Sequence, residues 1–127
     1  MQFVGGTQSG LAGKAKLQLD LTNDETLIVH KEKMAFAIAY RKINTVEYGQ
    51  TVSRRYAEAV LISPVFLLSK SRKHFLTIGY SGEDGKQQAM VFRVDKNSIR
   101  PTLVGLEART GLKVQYQDEQ ARKARNQ

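Results

Sequence analysis

Cysteine and tryptophan are absent from this 127-residue sequence, and proline and histidine occur only twice each. Without cysteine there are no disulfide staples, no thiolate zinc or iron–sulfur sites and no cysteine nucleophile. The redox compartment stays open, because exported proteins also exist without cysteine. No apolar run approaches the roughly 18 to 20 residues that a membrane-spanning helix needs, so no transmembrane span is expected. The opening stretch, Met1 to Gly13, is rich in glycine and polar residues. It shows no basic region followed by an apolar one, so it reads as a flexible leader over residues 1–12 rather than a signal peptide. A signal removed before the first residue would leave no trace, and a soluble cytoplasmic or exported location both remain open.

Catalytic signatures are equally scarce. His30 and His74 lie in separate polar stretches with no neighbouring ligand or nucleophile pattern. A nucleophile elbow of the form Gly-x-Ser-x-Gly fails at its fifth position, since Gly79, Tyr80, Ser81 and Gly82 are followed by Glu83. Ser81 is read instead as a hairpin residue. Glu83 and Asp84 are adjacent carboxylates, but in an exposed turn neither desolvation nor a partner would raise a pKa for acid catalysis. No phosphate-cradling Gly-x4-Gly-Lys-Ser/Thr occurs, and Gly5, Gly6, Gly10 and Gly13 precede a strand rather than a helix. The sequence therefore reads as non-catalytic, with no cofactor and no metal.

What is present is an average globular composition, 41% hydrophobic and 25% charged, in a length suited to one domain. Residues 13–116 are read as that domain and residues 117–127 as a polar tail. Ala15, Leu17, Leu19 and Leu21 alternate with Lys14, Lys16, Gln18 and Asp20, the pattern of a half-buried strand. A turn cluster, Thr22, Asn23 and Asp24, precedes Leu27, Ile28 and Val29 in a hairpin arrangement. After a charged loop, His30 to Lys33, a second alternation sets Met34, Phe36, Ile38 and Tyr40 against Ala35, Ala37 and Ala39. That small face predicts close approach by another element. Ile43, Val46 and Tyr48 fit a further strand ending at Gly49. The clearest hairpin joins His74–Ser81 to Lys86–Val94 around Gly82, Glu83, Asp84 and Gly85, where the Asp-Gly pair suits positive φ. Ile99, Leu103 and Leu106 then mark a helix capped by Asp95 or Ser98, with Gly111 as its left-handed stop. Lys113 to Tyr116 can add a short strand.

A run of antiparallel strands followed by one helix is α+β and mainly β. The Leu17–Leu27 region, with its alternating leucines and Thr-x-Asp turn, and the Ala39–Tyr48 stretch, Ala-Tyr-Arg-Lys-Ile-x-x-Val-x-Tyr, resemble bacterial pleckstrin-homology-like and GRAM-like domains. The resemblance covers about residues 13–111. It implies two antiparallel sheets curled into a partly open barrel, with the C-terminal helix plugging one end. In phosphoinositide-binding members of that family, basic residues cluster around the first strand-to-strand loop. Here that loop is Asn23, Asp24 and Glu25, which would repel phosphates, so the resemblance carries over no headgroup site, although Lys14 and Lys16 could contribute.

Twenty basic against twelve acidic residues give a net charge of +8, which favours anionic partners through long-range attraction. Half of that excess lies in one segment. Ala59 to Leu68 holds eight apolar residues in ten, flanked by Arg54 and Arg55 before it and Lys70, Arg72 and Lys73 after. The functional reading is a short apolar helical insertion, interrupted at Pro64, that docks through Leu61, Ile62, Val65, Phe66 and Leu67. The surface it meets would be a partner protein, a second copy or an anionic membrane, where each cation contributes ~1 kcal/mol. The competing reading is that the run packs as core over an open end of the barrel, because large exposed apolar patches are rare in soluble monomers. A third reading gives Lys70, Arg72, Lys73, Arg93, Lys96 and Arg100 a shared basic patch for nucleic acid or another anionic polymer. Against it, Phe75, Tyr80 and Phe92 suit a core equally well, and no RNA-binding aromatic motif accompanies the charges.

Overall fold

In the computed structural model, residues 2–6, 17–31, 33–50, 52, 56, 74–94 and 99–116 are described. The longest run of pairing is the hairpin that the sequence marks most clearly. Strands β6 (His74–Ser81) and β7 (Gln87–Val94) pair without interruption from His74 opposite Val94 to Ser81 opposite Gln87. Their turn is closed by the Gly85 N–H donating to the Gly82 carbonyl at 3.0 Å, with Lys86 N–H donating to the Asp84 carboxylate at 3.0 Å. Gly85 sits at φ 79°, a left-handed position that a side chain would strain.

Around this hairpin lies a five-stranded sheet in the order β1-β7-β6-β5-β8. Strand β5 (Ile43–Gly49) pairs antiparallel with β6, and the register slips between Ile43 and Thr45. That bulge adds a residue at Asn44, which is why the buried apolar residues fall at 43, 46 and 48 rather than at strict alternation. Strand β8 (Gln115–Tyr116) joins the other side of β5 in parallel. The opening residues depart from the expected leader: Gln2–Gly6 form β1, antiparallel to β7 from Gln2 opposite Arg93 to Gly6 opposite Met90. Glycine content signals flexibility in isolation, but the open side of β7 supplies main-chain partners that the local composition does not reveal.

The second sheet is β2 (Leu17–Asp20), β3 (Thr26–Lys31) and β4 (Met34–Ala39), in that order. Asn23 builds its first turn by accepting from the N–H groups of Glu25 and Thr26 at 2.8 and 3.0 Å. His30 belongs to β3, opposite Ala35, and not to a loop. The alanine face of β4 also differs from expectation, for Ala35 and Ala37 are exposed. Along the other face exposure falls from Met34 through half-buried Phe36, which packs against the core, to buried Ile38 within it.

Helix α1 (Ile99–Thr110) packs on the core that both sheets share, with Pro101 in its first turn, where a missing N–H costs little. Ile99, Leu103 and Leu106 are fully buried, each contributing on the order of 1.5–3 kcal/mol of transfer free energy. They share one cluster with Leu27, Val29 and Ile38 of the small sheet and with Val46, Tyr48, Leu76, Ile78, Met90 and Phe92 of the large one. The helix ends at Gly111, φ 75°, whose N–H donates to Glu107 at 2.9 Å, as expected. Among the described residues the architecture is α+β and mainly β, with two sheets, one C-terminal helix and no closed barrel.

The opposite face of the large sheet is buried too. Phe75, Ala89 and Val91 form a second cluster with Tyr56, and Val52 packs against it. Burial on both faces explains why His74 to Tyr80 shows no apolar–polar alternation.

Candidate docking groove

The residues that the sequence proposes for docking, Arg54, Arg55, Leu61, Ile62, Val65, Phe66, Leu67, Lys70, Arg72 and Lys73, all lie outside the described residues. The described part of that region is Tyr56, 1% exposed, with its ring over the large sheet. Of the basic patch, Arg93 is half-buried on β7 and Arg100 is exposed at the start of α1, while Lys70, Arg72, Lys73 and Lys96 also fall outside.

What the structure brings together lies elsewhere. A groove of about 590 Å³ opens where the end of the small sheet faces the tip of the β6–β7 hairpin. One wall is Phe36, Ala37, Ile38 and Ala39 of β4, continuing into Arg41 and Lys42 of the 3-10 turn that leads to β5. The other wall is Tyr80 to Asp84, with Gln88. Successive strand residues point to opposite faces, so four in a row can line one groove only when it runs along the strand's edge. Strand β4 is paired on one side alone among the described residues, with β3.

Tyr80 anchors the second wall. Its ring meets Phe36 with centroids 6.5 Å apart, and its hydroxyl is buried without a hydrogen-bond partner. Desolvation pushes its pKa up to about 12. The rim carries two cations, Arg41 and Lys42, and two anions, the exposed Glu83 and Asp84. The expected solvated turn for these carboxylates is what the structure shows.

Two neighbouring clefts carry less. One, lined by Asp24, Glu25, Tyr40, Arg41 and Arg109, contains an ion pair between Arg109 and Asp24, with Asp24 85% exposed. Burial raises the pKa of Tyr40 there, and its hydroxyl is buried and unpartnered. The other, near the start of the helix, includes Asp20 and His30, 3.5 Å apart. The Asp20 pKa is lowered chiefly by the Thr22 hydroxyl at 2.6 Å, with help from the Thr22 N–H at 2.9 Å. His74 is buried and stacked on Tyr48, centroids 5.3 Å apart, and does not sit in a polar stretch.

On the outer face of the large sheet, the bulge residue Asn44 and Gln87 exchange amide hydrogen bonds at 2.7 and 3.0 Å, and Gln87 also donates to the Tyr56 hydroxyl at 3.4 Å. Further along β5, Glu47 is 6% exposed, with one carboxylate oxygen buried and unpartnered. No group of three or more metal-ligating side chains assembles among the described residues, and no helix there is long and apolar enough to cross a membrane.

The chain matches no known family model and no curated protein sequence.

The groove was not visible in sequence, because its walls come from segments some 40 residues apart. The legible hint was the uncharged run Met34 to Ala39 beside Arg41 and Lys42, which sequence reading spent on an expected buried face.

Proposed function

We propose that the chain is a binding module without catalytic function, of the pleckstrin-homology-like kind, that docks a partner protein at the groove between β4 and the β6–β7 hairpin. The observation that carries this reading is the groove between β4 and the hairpin tip, whose volume of about 590 Å³ falls in the range of ligand sites, roughly 300–1,000 Å³. Mixed rim charges beside a small apolar strand fit a protein surface better than a phosphate-rich one, because Glu83 and Asp84 oppose polyanions.

A second reading assigns docking to the basic-flanked segment from Arg54 to Lys73. Tyr56 favours it, since its burial ties the start of that segment to the scaffold. Photocrosslinking separates the two. A benzoylphenylalanine at Ala37 is expected to crosslink another protein in the cells that make this chain, whereas one at Phe66 reports the segment. Crosslinks from residue 66 alone move the site to the segment, crosslinks joining two copies make it a self-association surface, and crosslinks from neither end the docking reading. Flotation with anionic vesicles, lost at high salt, would replace the protein partner with a membrane.

A further inference from the structure

We propose that the groove between β4 and the β6–β7 hairpin receives residues 117–127 of a second copy of this chain. This rests on the docking reading above and deepens it by naming the partner.

The first support is a set of charges left without counterparts. Arg41 and Lys42 stand on one wall of the groove, and Glu83 and Asp84 on the other. Opposite charges lining one groove would pair if they met, yet none of the four makes an ion pair with any described residue. Arg41, Glu83 and Asp84 are exposed, and Lys42 is half-buried. A purely acidic occupant would meet Glu83 and Asp84, and a purely basic one Arg41 and Lys42, each placing like charges together. The groove therefore selects a segment that carries both signs, set apart along its length.

Of the stretches outside the described residues, that from 117 to 127 alone joins an acidic pair to a basic cluster. Asp118 and Glu119 precede Arg122, Lys123 and Arg125. Asp118 and Glu119 set against Arg41 and Lys42 leave the three cations for Glu83 and Asp84. Ala121 and Ala124 fall between the charges and are small enough for main chain to lie close to Ala37 and Ala39.

Reach assigns the segment to another molecule. Strand β8 is parallel to β5 and ends at Tyr116 opposite Tyr48, so at that point the chain runs away from Ile43. Ile43 to Tyr48 spans roughly 16 Å at 3.3 Å per residue, and Arg41 lies beyond Ile43. A reversal toward Arg41 takes about four residues, which absorbs Gln117 to Glu119. The acidic pair thus stays at the Tyr48 end of its own molecule, and the cations it meets are those of a neighbour. Each copy carries +8, so long-range repulsion opposes the approach. Physiological salt screens that repulsion beyond about 8 Å and leaves the short-range pairs as the attraction.

The absence of cysteine makes one engineered thiol a clean reporter. An unlabelled Ala124→Cys chain carrying a nitroxide, mixed with an isotope-labelled chain, broadens amide signals only across molecules. Broadening is expected at Phe36–Ala39 and at the Glu83–Gly85 turn of the labelled copy. Arg41→Glu with Lys42→Glu in the labelled copy should weaken the association by about tenfold. Asp118→Lys with Glu119→Lys in the nitroxide-bearing copy should restore it, and that reversed segment should fail against the unaltered groove. Broadening confined to other residues, or none at millimolar chain, overturns the proposal; the docking reading then survives if crosslinks from position 37 still reach a different protein and falls if they do not. Groove broadening that charge reversal leaves unchanged overturns the proposal as well, because the charges then do not select the segment.

Discussion

The hydroxyl of Tyr56 rests against the bare backbone of Gly79, in the place where a side chain on that residue would begin. A strand glycine weakens its own strand, and here the loss is offset by the close approach of an aromatic ring to the sheet. Tyr56 is fully enclosed, so it has no room to retreat. Gly79→Ala is therefore expected to destabilise the chain by about 1–3 kcal/mol in urea denaturation, the usual cost of overpacking. Tyr56→Phe in the same chain should recover part of that loss, and strictly additive effects would show that the two residues do not press on each other.

Tyr80 gives a test with the opposite sign. Tyr80→Phe deletes a buried hydroxyl that makes no hydrogen bond, so stability in the absence of partner is expected to hold or rise by up to about 1 kcal/mol. A fall beyond that in thermal unfolding would mean the hydroxyl is satisfied in the free chain.

The same group dictates alkaline behaviour. Its pKa is raised from 10.0 to about 12 by burial, so the protonated form is favoured in the fold. The stability tied to this phenol is fully present below pH 10.0 and is lost as pH climbs toward 12. Tyr40 shifts in the same direction and adds to the decline. Tyrosinate absorbance should lag behind that of free tyrosine, and Tyr80→Phe should flatten the loss of stability across this window.

Asp20 sets an acid-side expectation. Its depressed pKa means the contribution of the carboxylate is present above the ordinary aspartate value of 3.8 and fades as pH falls below it. Thr22→Val removes the hydroxyl donor, and the Asp20 midpoint in an NMR titration should move upward. An unchanged midpoint would transfer the effect to the remaining donors.

At the end of α1, Gly111→Ala forces a side chain into φ 75° and should cost about 1–2 kcal/mol, whereas Gly111→Asn, which tolerates that region better, should cost less. Equal losses for both would point to something other than backbone strain.

Sequence patterning located what depends on neighbours in the chain. The Asp84–Gly85 turn, the Ile99–Leu103–Leu106 stripe and the Gly111 stop all rest on local chemistry that few tertiary contexts override. It misjudged what depends on distant chain. Phe3 and Val4 sit among too many glycines to announce a strand, and only the vacancy beside β7 makes one. Ala35, Ala37 and Ala39 promised a packed face, yet a period-2 pattern states only that two faces differ, not which one meets the protein. Ile43 to Tyr48 carried the bulge at Asn44 as an irregular spacing, legible once the pairing with β6 is known. The groove was least legible, because Phe36 and Tyr80 become neighbours only when strands of two different sheets meet in the fold.

The pairing of Gln2 with Arg93 ties the order of synthesis to the order of assembly. Strand β1 has nothing to hold until its counterpart emerges roughly 90 residues later, several seconds at ribosomal rates of about 5–20 residues per second. It is thus born early and fastened late, and the sheet is completed only once both ends of this long loop have met.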